Sequence, residues 1–241
     1  MKSCQRLKTL SNISQQGFLM INKPEGISSF AVVKQVRLLT GVKKVGYAGT
    51  LDPFASGLLI LALGKSYTIQ IDRIHRYVKS YRAQMVLGLQ TNTLDSRGQI
   101  DGVHDGYDLS VLAKTSDQFM GDIDQIPPIF SAKKIKGRRA YSLARLGQPV
   151  ELSPKCVTIS QLSFSVIQTA PFPVVDMSVS CSTGTYIRAL VRDIAKACHT
   201  VGYTRSLIRT AVGPFSVNDA ITLDQLSPNL INASLIQTEL D

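Results

Sequence analysis

Apolar and polar positions follow several different periods along this chain, and each change of period marks an element. Phe18-Leu19-Met20-Ile21 is a short apolar run stopped by Asn22-Lys23-Pro24-Glu25-Gly26, which predicts a strand and then a turn. Ser28 or Ser29 can cap the helix that follows. Val32, Val33, Val36 and Leu39 share one face of it, Lys34 and Arg37 fall on the other, and Gly41 ends it. A glycine-rich loop, Gly46 to Gly57, leads into a buried strand, Leu58 to Leu63. A short amphipathic helix is expected from about Ser66 to Ile74. From Lys79 the period becomes two: Tyr81, Ala83, Met85 and Leu87 face one side of a strand, Ser80, Arg82 and Gln84 the other. Tyr81 thus begins a strand on its apolar face, with a hydroxyl that needs a partner. Asn92 to Gly106 is polar and turn-rich, and a helix follows near Leu109 to Met120. Two strands run near Val157 to Gln168 and Val174 to Ser182; in the second, Val175, Met177, Val179 and Cys181 share a face. Gly184-Thr185 opens a helix that buries Ile187, Leu190, Val191, Ile194 and Ala197. A short strand around Ala211 to Phe215 and a small helix near Asn218 to Leu226 complete the pattern. Strands come mostly in meanders with helices between them, so the fold class is α+β around a largely antiparallel sheet.

The Gly46–Gly57 loop changes this picture from architecture to chemistry. It holds glycines, Pro53 and a single charge, Asp52. Proline fixes its own φ and biases Asp52 toward an extended conformation, so the loop presents one acid stiffly at the mouth of a buried strand. An aspartate before proline is also common in plain turns and needs no chemistry.

Charge adds a second region. Gln125 to Val150 contains no acidic residue, yet holds Lys133, Lys134, Lys136, Arg138, Arg139 and Arg145, with Phe130 and Tyr141 interleaved. Pro127-Pro128 opens it and Pro149 closes it. A charge run is usually a solvated face, but cations without counter-ions repel one another unless phosphates supply the missing charge. Arg188 and Arg192, four apart on the later helix, project together. Over the whole chain Lys plus Arg number 27 against 17 Asp plus Glu, a net charge of +10 and a pI near 9.6, which favours a polyanionic partner. No apolar run is long enough to span a bilayer, and residues 1–16 lack the apolar core of a signal peptide, so the chain reads as soluble and intracellular. Cys4, Cys156, Cys181 and Cys198 form no CxxC pair, and His75, His104 and His199 are scattered. Zinc spacing is missing, reduced thiols are expected, and metal-dependent chemistry is disfavoured.

The chain has no G-x-G-x-x-G between strand and helix, no Walker A sequence, no G-x-S-x-G and no H-E-x-x-H. What remains is a carboxylate on a rigid loop, a tyrosine at a strand start and an arginine in the first turn of a helix. A carboxylate can act as a covalent nucleophile if it is ionised. Burial raises an aspartate pKa, and an arginine within about 4–6 Å lowers it again. Arg188 is the candidate counter-charge; a plain phosphate-binding or surface arginine is its alternative reading.

Five ordered motifs give the chain a close resemblance to the bacterial tRNA pseudouridine-55 synthase family of the TruB type. They are Gly46–Pro53, Asn22–Gly26 with Ser28-Ser29, Lys79-Ser80-Tyr81-Arg82, Gln125–Ala132 running on through Gly137–Tyr141, and Cys181–Arg188 with Leu207–Phe215 after it. The resemblance runs from about Gly17 to Leu226. It implies the pseudouridine synthase fold, a mixed and mostly antiparallel central sheet flanked by helices. It also implies a catalytic domain over 17–226 with an RNA-gripping thumb at about 125–152, after a flexible arm at 1–16 and before a short tail at 227–241. The implied activity is an isomerisation, in the cytoplasm, of a uridine flipped out of the T-arm loop of tRNA, with no cofactor, metal or external energy source. Sequence-specific RNA readers favour unstacked loop bases, and base-modifying enzymes must extract their target.

By this resemblance Asp52 is the nucleophile, attacking either the base or the sugar. Tyr81 stacks on the flipped uracil and is a candidate to remove the C5 proton, and Arg188 pairs with Asp52. Tyr186 and Leu207 line the base pocket, while Lys23, Tyr47, Lys133, Lys134, Arg138 and Arg139 bind the RNA. The expected partner is tRNA, with no membrane and no DNA, and the expected state is a monomer. The chain departs from the family where Tyr47 replaces the usual histidine, where Ile208 replaces a common arginine, and in having no room for a C-terminal domain of the PUA type. The thumb and the Arg188/Arg192 face are therefore expected to carry most of the RNA affinity. A rival class is an RNA chaperone that binds tRNA without chemistry; it would have no use for Asp52.

Overall fold

The computed structural model describes residues 16–237 apart from positions 105, 132, 136, 145 and 150, with the side chains of 113, 134, 135, 139 and 141 also left out. Strand β1 (Gly17–Lys23) leads into helix α1 (Ser29–Thr40). The Ser28 side chain caps α1 by accepting from the Ala31 N–H, and Gly41 ends it in the left-handed conformation. β2 (Val45–Ala48) and β3 (Ser56–Leu63) flank the acid-bearing turn, so the stretch expected as one loop begins as a strand. Where one helix was expected, α2 (Lys65–Thr68) and α3 (Ile71–Arg76) are separated by a turn that brings Ile71 against Gly46.

β4 (Lys79–Leu87) is followed by a hairpin, β5 (Leu89–Thr91) and β6 (Ile100–Val103), whose turn and second strand lie in the segment expected to be polar and turn-rich. Its polar residues build the turn: Asn92 accepts from the Gln99 N–H and Asp95 from the Arg97 N–H. A 3-10 turn (Leu109–Val111) opens α4 (Leu112–Phe119). Then come β7 (Gly121–Gln125), the short pair β8 (Lys134–Ile135) and β9 (Arg138–Arg139), α5 (Ala140–Ala144) and the long β10 (Lys155–Gln168). The chain continues through β11 (Val174–Cys181), α6 (Ile187–Ala197), β12 (Gly202–Val212), β13 (Phe215–Ser216), β14 (Ile221–Thr222) and α7 (Pro228–Ala233).

One mixed sheet in the order β14-β1-β3-β12-β4-β11-β10-β7 organises these elements, with β2 added beside β3 and β13 beside β12. β12 runs parallel to β3 and β14 parallel to β1, while the other pairings in this sheet are antiparallel. This is the α+β class and the mixed, mostly antiparallel sheet expected from the pattern. β3 shows why its sequence has no polar alternation. Leu59, Leu61 and Leu63 enter a core shared with α1 and α6, and Leu58, Ile60 and Ala62 enter a second core with Ile74 of α3 on the opposite face. A strand covered on both sides reads as a continuous apolar run.

The C-terminal third departs most from expectation. β12 is not a short strand at 211–215 but begins at Gly202 and lies at the centre of the sheet, between β3 and β4. Its register against β4 shifts between Thr204 and Ser206 and again between Arg209 and Ala211. Each shift inverts the alternation, so no single period of two survives in the sequence. The helix expected near Asn218–Leu226 is instead a 3-10 turn capped by the Ser216 hydroxyl, followed by β14. Residues 227–237 do not trail away. α7, capped by Ser227 with Pro228 in its first turn, buries Ile231, and the Ile236 backbone exchanges hydrogen bonds with Phe18 at 2.9 Å each way. Cys181 and Cys198 are buried free thiols, whereas Cys156 is exposed on β10.

Candidate active site

The turn between β2 and β3 is held from several sides. The Ser29 hydroxyl accepts from the Leu51 N–H at 2.9 Å and donates to the Leu51 carbonyl at 3.1 Å. The Gly26 N–H donates to the Pro53 carbonyl at 2.7 Å, and the Ala55 N–H closes back onto the Asp52 carbonyl at 3.1 Å. Leu51, Phe54 and Ala55 are buried on either side of the acid. Gly57 has φ 102°, and a Cβ there would lie 2.3 Å from the Arg209 carbonyl oxygen, so only glycine lets β3 start this close to β12. Anchored in this way, the loop points the Asp52 carboxylate into a cleft while leaving it 39% exposed.

Arg188, in the first turn of α6, supplies the counter-charge. Its Nε donates to Asp52 Oδ2 at 2.9 Å, and Nη2 lies 2.8 Å from the same oxygen. The rest of the guanidinium is used as well: Nη1 donates to the Thr93 carbonyl at 2.8 Å, Nη2 to the Phe130 carbonyl at 3.0 Å, and Asp95 Oδ2 lies 3.7 Å from Nη1. Arg188 is only 4% exposed. It is therefore a fixed structural cation rather than a surface arginine. Arg192 does project the same way, but toward protein: it donates to the Ile126 carbonyl at 2.9 Å and to Asp193. The expected RNA-binding Arg188/Arg192 face is thus largely occupied by the segment that enters the thumb.

Tyr81 lines the same cleft, as do Tyr186, Leu207 and Arg209, and the cavity has a volume of about 290 Å³, small among ligand sites and suited to a single base-sized group. Tyr186 precedes α6 and donates its N–H to Gln125 Oε1 at 2.8 Å. Burial pushes the Tyr81 phenol pKa up, while the charge of Arg209 and its side-chain hydrogen bond to Tyr81 pull it down. Lys79, on the cavity wall, gives its Nζ protons to the His75 and Tyr77 carbonyls. Burial, helped by the nearby Arg209, lowers its pKa to about 8.

Other expected RNA-binding residues are placed differently. Lys23 is not on the surface: it is fully buried, donates to the Pro24 and Ile27 carbonyls at 2.8 and 2.9 Å, and feels the charge of Asp52. Burial lowers its pKa to about 8. Buried in this way, it cannot reach a phosphate. Tyr47 sits on β2, half-buried against the core, with its hydroxyl 3.5 Å from Thr50 Oγ1, outside the cavity lining. Ile208 is exposed. On the thumb, Lys133 Nζ donates to the Ser153 carbonyl at 3.2 Å, and exposed Arg138 reaches Gln148 Oε1 at 3.5 Å. Lys134 pairs with Arg139 across the β8–β9 ladder, but the side chains of both lie outside the described residues, as do Lys136 and Arg145 altogether. Sequence reasoning gave no site role to Arg209 or Lys79 and read Ser29 only as a possible helix cap and motif residue. A cation inside a buried strand is the signal that could have found Arg209, had the strand been legible.

The fold that carries this cleft is that of the pseudouridine synthases. The chain superposes with a TM-score of 0.67 and 27% identity on a chain of a Cbf5-Nop10-Gar1 complex. It superposes with a TM-score of 0.64 and 25% identity on a chain of an H/ACA RNP bound to a substrate RNA containing 2'-deoxyuridine. Each match covers 88% of this chain but only about half of the other, 54% and 52%. Within that class the sequence is more specific. The profile of the TruB family pseudouridylate synthase (N terminal domain) matches residues 37–187. The chain is 41% identical over 216 residues to a protein named tRNA pseudouridine synthase B from Caldanaerobacter subterraneus subsp. tengcongensis, covering 89% of this chain and 75% of the relative. It is 37% identical over 231 residues to one of the same name from Trichormus variabilis, covering 94% and 77%. The chain belongs to the TruB family of pseudouridylate synthases.

Proposed function

We propose that the chain converts a uridine in the T-arm loop of tRNA to pseudouridine, with Asp52 as the nucleophile. The observation that carries this reading is the Asp52–Arg188 pair. One acid, on a loop braced through Leu51 and Pro53, meets a buried guanidinium in a cleft that also holds Tyr81. A carboxylate held by a fixed cation is aimed into the pocket, which is what a nucleophile acting on a flipped base requires. Tyr81 supplies a ring face for the extracted uracil and a hydroxyl near the reacting carbons, and Leu207 and Tyr186 close the pocket. Basic side chains on the 125–152 segment hold the RNA backbone, so that the flipped nucleotide is delivered to Asp52. The identity of this chain to relatives named tRNA pseudouridine synthase B supports tRNA as the substrate. The protein acts as a monomer in the cytoplasm; among the described residues no helix is long and apolar enough to cross a membrane. The catalytic domain spans 17–226, and α7 packs against it through Ile231.

The test is direct. Pure protein is incubated with unmodified tRNA and the product mapped for pseudouridine. One new pseudouridine in the T-arm loop is expected with the unaltered protein and none with Asp52→Asn, which should still bind tRNA. Binding without product in the unaltered protein would instead make it an RNA chaperone.

A further inference from the structure

We infer that Arg209 is a positioning residue of this site, a clamp that holds the Tyr81 hydroxyl and the Asp52 loop in one fixed relation; the inference rests on the functional reading above. Arg209 is 1% exposed and sits on β12, which lies between β3 and β4 and pairs with both. Its Cα stands opposite Tyr81 on β4 and opposite Gly57 on β3, where the Asp52 loop ends. The side chain spans the same two neighbours. Nε donates to the Leu58 carbonyl at 2.7 Å and Nη2 to the Gly49 carbonyl at 3.0 Å, three residues before the acid. Tyr81 is the cross-strand neighbour of Arg209, lines the same cavity and feels the guanidinium charge. The register shift that follows Arg209 inverts the alternation of β12 at that point, and a bulge of this kind re-aims a side chain and recurs beside active sites.

A buried guanidinium spends its donors on specific acceptors because each one left unmade is costly. Here the acceptors are two backbone carbonyls, one of the loop and one of its strand. Moving either of them would unpair the cation. Arg209 therefore couples the place where the acid is held to the place where the uracil ring stacks, without touching the acid itself. Its charge also favours a negative phenolic oxygen, against the burial that disfavours it. Among the described residues, the other ionisable groups around Tyr81 are Asp52 on the loop, Cys181 on β11, Lys79 on its own strand, His75 on α3, Tyr186 before α6 and Arg188 on α6.

The test reads Tyr81 through its phenolate absorbance, taken as the difference between a protein and the same protein carrying Tyr81→Phe. Arg209→Lys and Arg209→Gln should move the Tyr81 titration to higher pH, Gln further than Lys. The kcat on tRNA should fall by at least about tenfold while KM stays within about threefold, with Lys retaining part of the rate. A merely structural role would lower melting temperature without moving the Tyr81 titration. If neither variant folds, Tyr81→Phe alone decides, because it leaves Arg209 in place: the Arg209 guanidinium NMR signals should shift and lose their restricted rotation. An unchanged Tyr81 titration in a folded Arg209 variant, a loss confined to KM, or unaltered Arg209 signals in Tyr81→Phe would each overturn the inference. The functional reading fails separately, through product formed by Asp52→Asn.

Discussion

Two groups of cations in this chain look alike in composition and do opposite things. Lys23, Lys79, Arg188 and Arg209 are buried around the Asp52 loop, and their hydrogen bonds go to backbone carbonyls and to Asp52 itself. Lys133 and Arg138 on the thumb reach one weak acceptor each and keep most of their capacity for something else. The inner group sits in low dielectric, where unpaired charge is costly and geometry is rigid. The outer group sits in water, where a protein partner adds little and a phosphate backbone adds much. A net charge of +10 therefore overstates the surface available to RNA, because part of it is the internal scaffold of the site.

Substitutions can break this contrast. The largest effect is expected at the acid that the inner cations serve. Asp52→Asn should lower pseudouridine formation by on the order of 10³-fold or more, with tRNA affinity within about threefold, read by single-turnover product mapping and filter binding. Arg188→Met should reduce both activity and stability. It leaves Asp52 without its partner and the Thr93 and Phe130 carbonyls without a donor, a cost of about 3 kcal/mol in denaturant unfolding. The outer group should respond in affinity alone. Charge reversal of Lys133, Lys134 and Arg138 together should abolish measurable tRNA binding at physiological salt, leave the melting temperature within a few degrees, and flatten the salt dependence by about 0.7–0.9 log units per lost phosphate contact. Near-normal binding by that variant would break the contrast.

The smallest effect sharpens it through pH. Lys23 and Lys79 each have a folded pKa of about 8 against an ordinary 10.5, because burial disfavours the ammonium. Between those values the unfolded chain binds more protons, so stability rises with pH; below about 8 both states are protonated and the contribution is flat. The Cys181 thiol, pushed up to about 11 by burial, acts with the opposite sign above its ordinary value of 9. The lysine effect is therefore cleanest between pH 8 and 9. There the unaltered protein should gain up to about 1 kcal/mol relative to Lys79→Met, measured by denaturant melts at each pH. A thumb lysine replaced by Met should show no such slope.

Local pattern was enough wherever one period governed an element. The capped helix α1, the two-sided run of β3, the alternating β4 and β11 and the amphipathic α6 are all legible, because each buries a face set by neighbouring residues in the chain. The acid loop was legible for the same reason: glycines and Pro53 impose its stiffness locally. The central strand β12 was not, because its two register shifts exist only against β4, and a shift in pairing cannot be seen in one strand. The hairpin of β5 and β6 and the parallel pairing of β14 with β1 likewise depend on partners far away in sequence. Burial of charge was the other hidden variable. Nothing local distinguishes Lys23 or Arg209 from the lysines and arginines of the thumb; only the folded sheet, by surrounding some cations with carbonyls and leaving others in water, decides which of them build the site and which are free to meet a substrate.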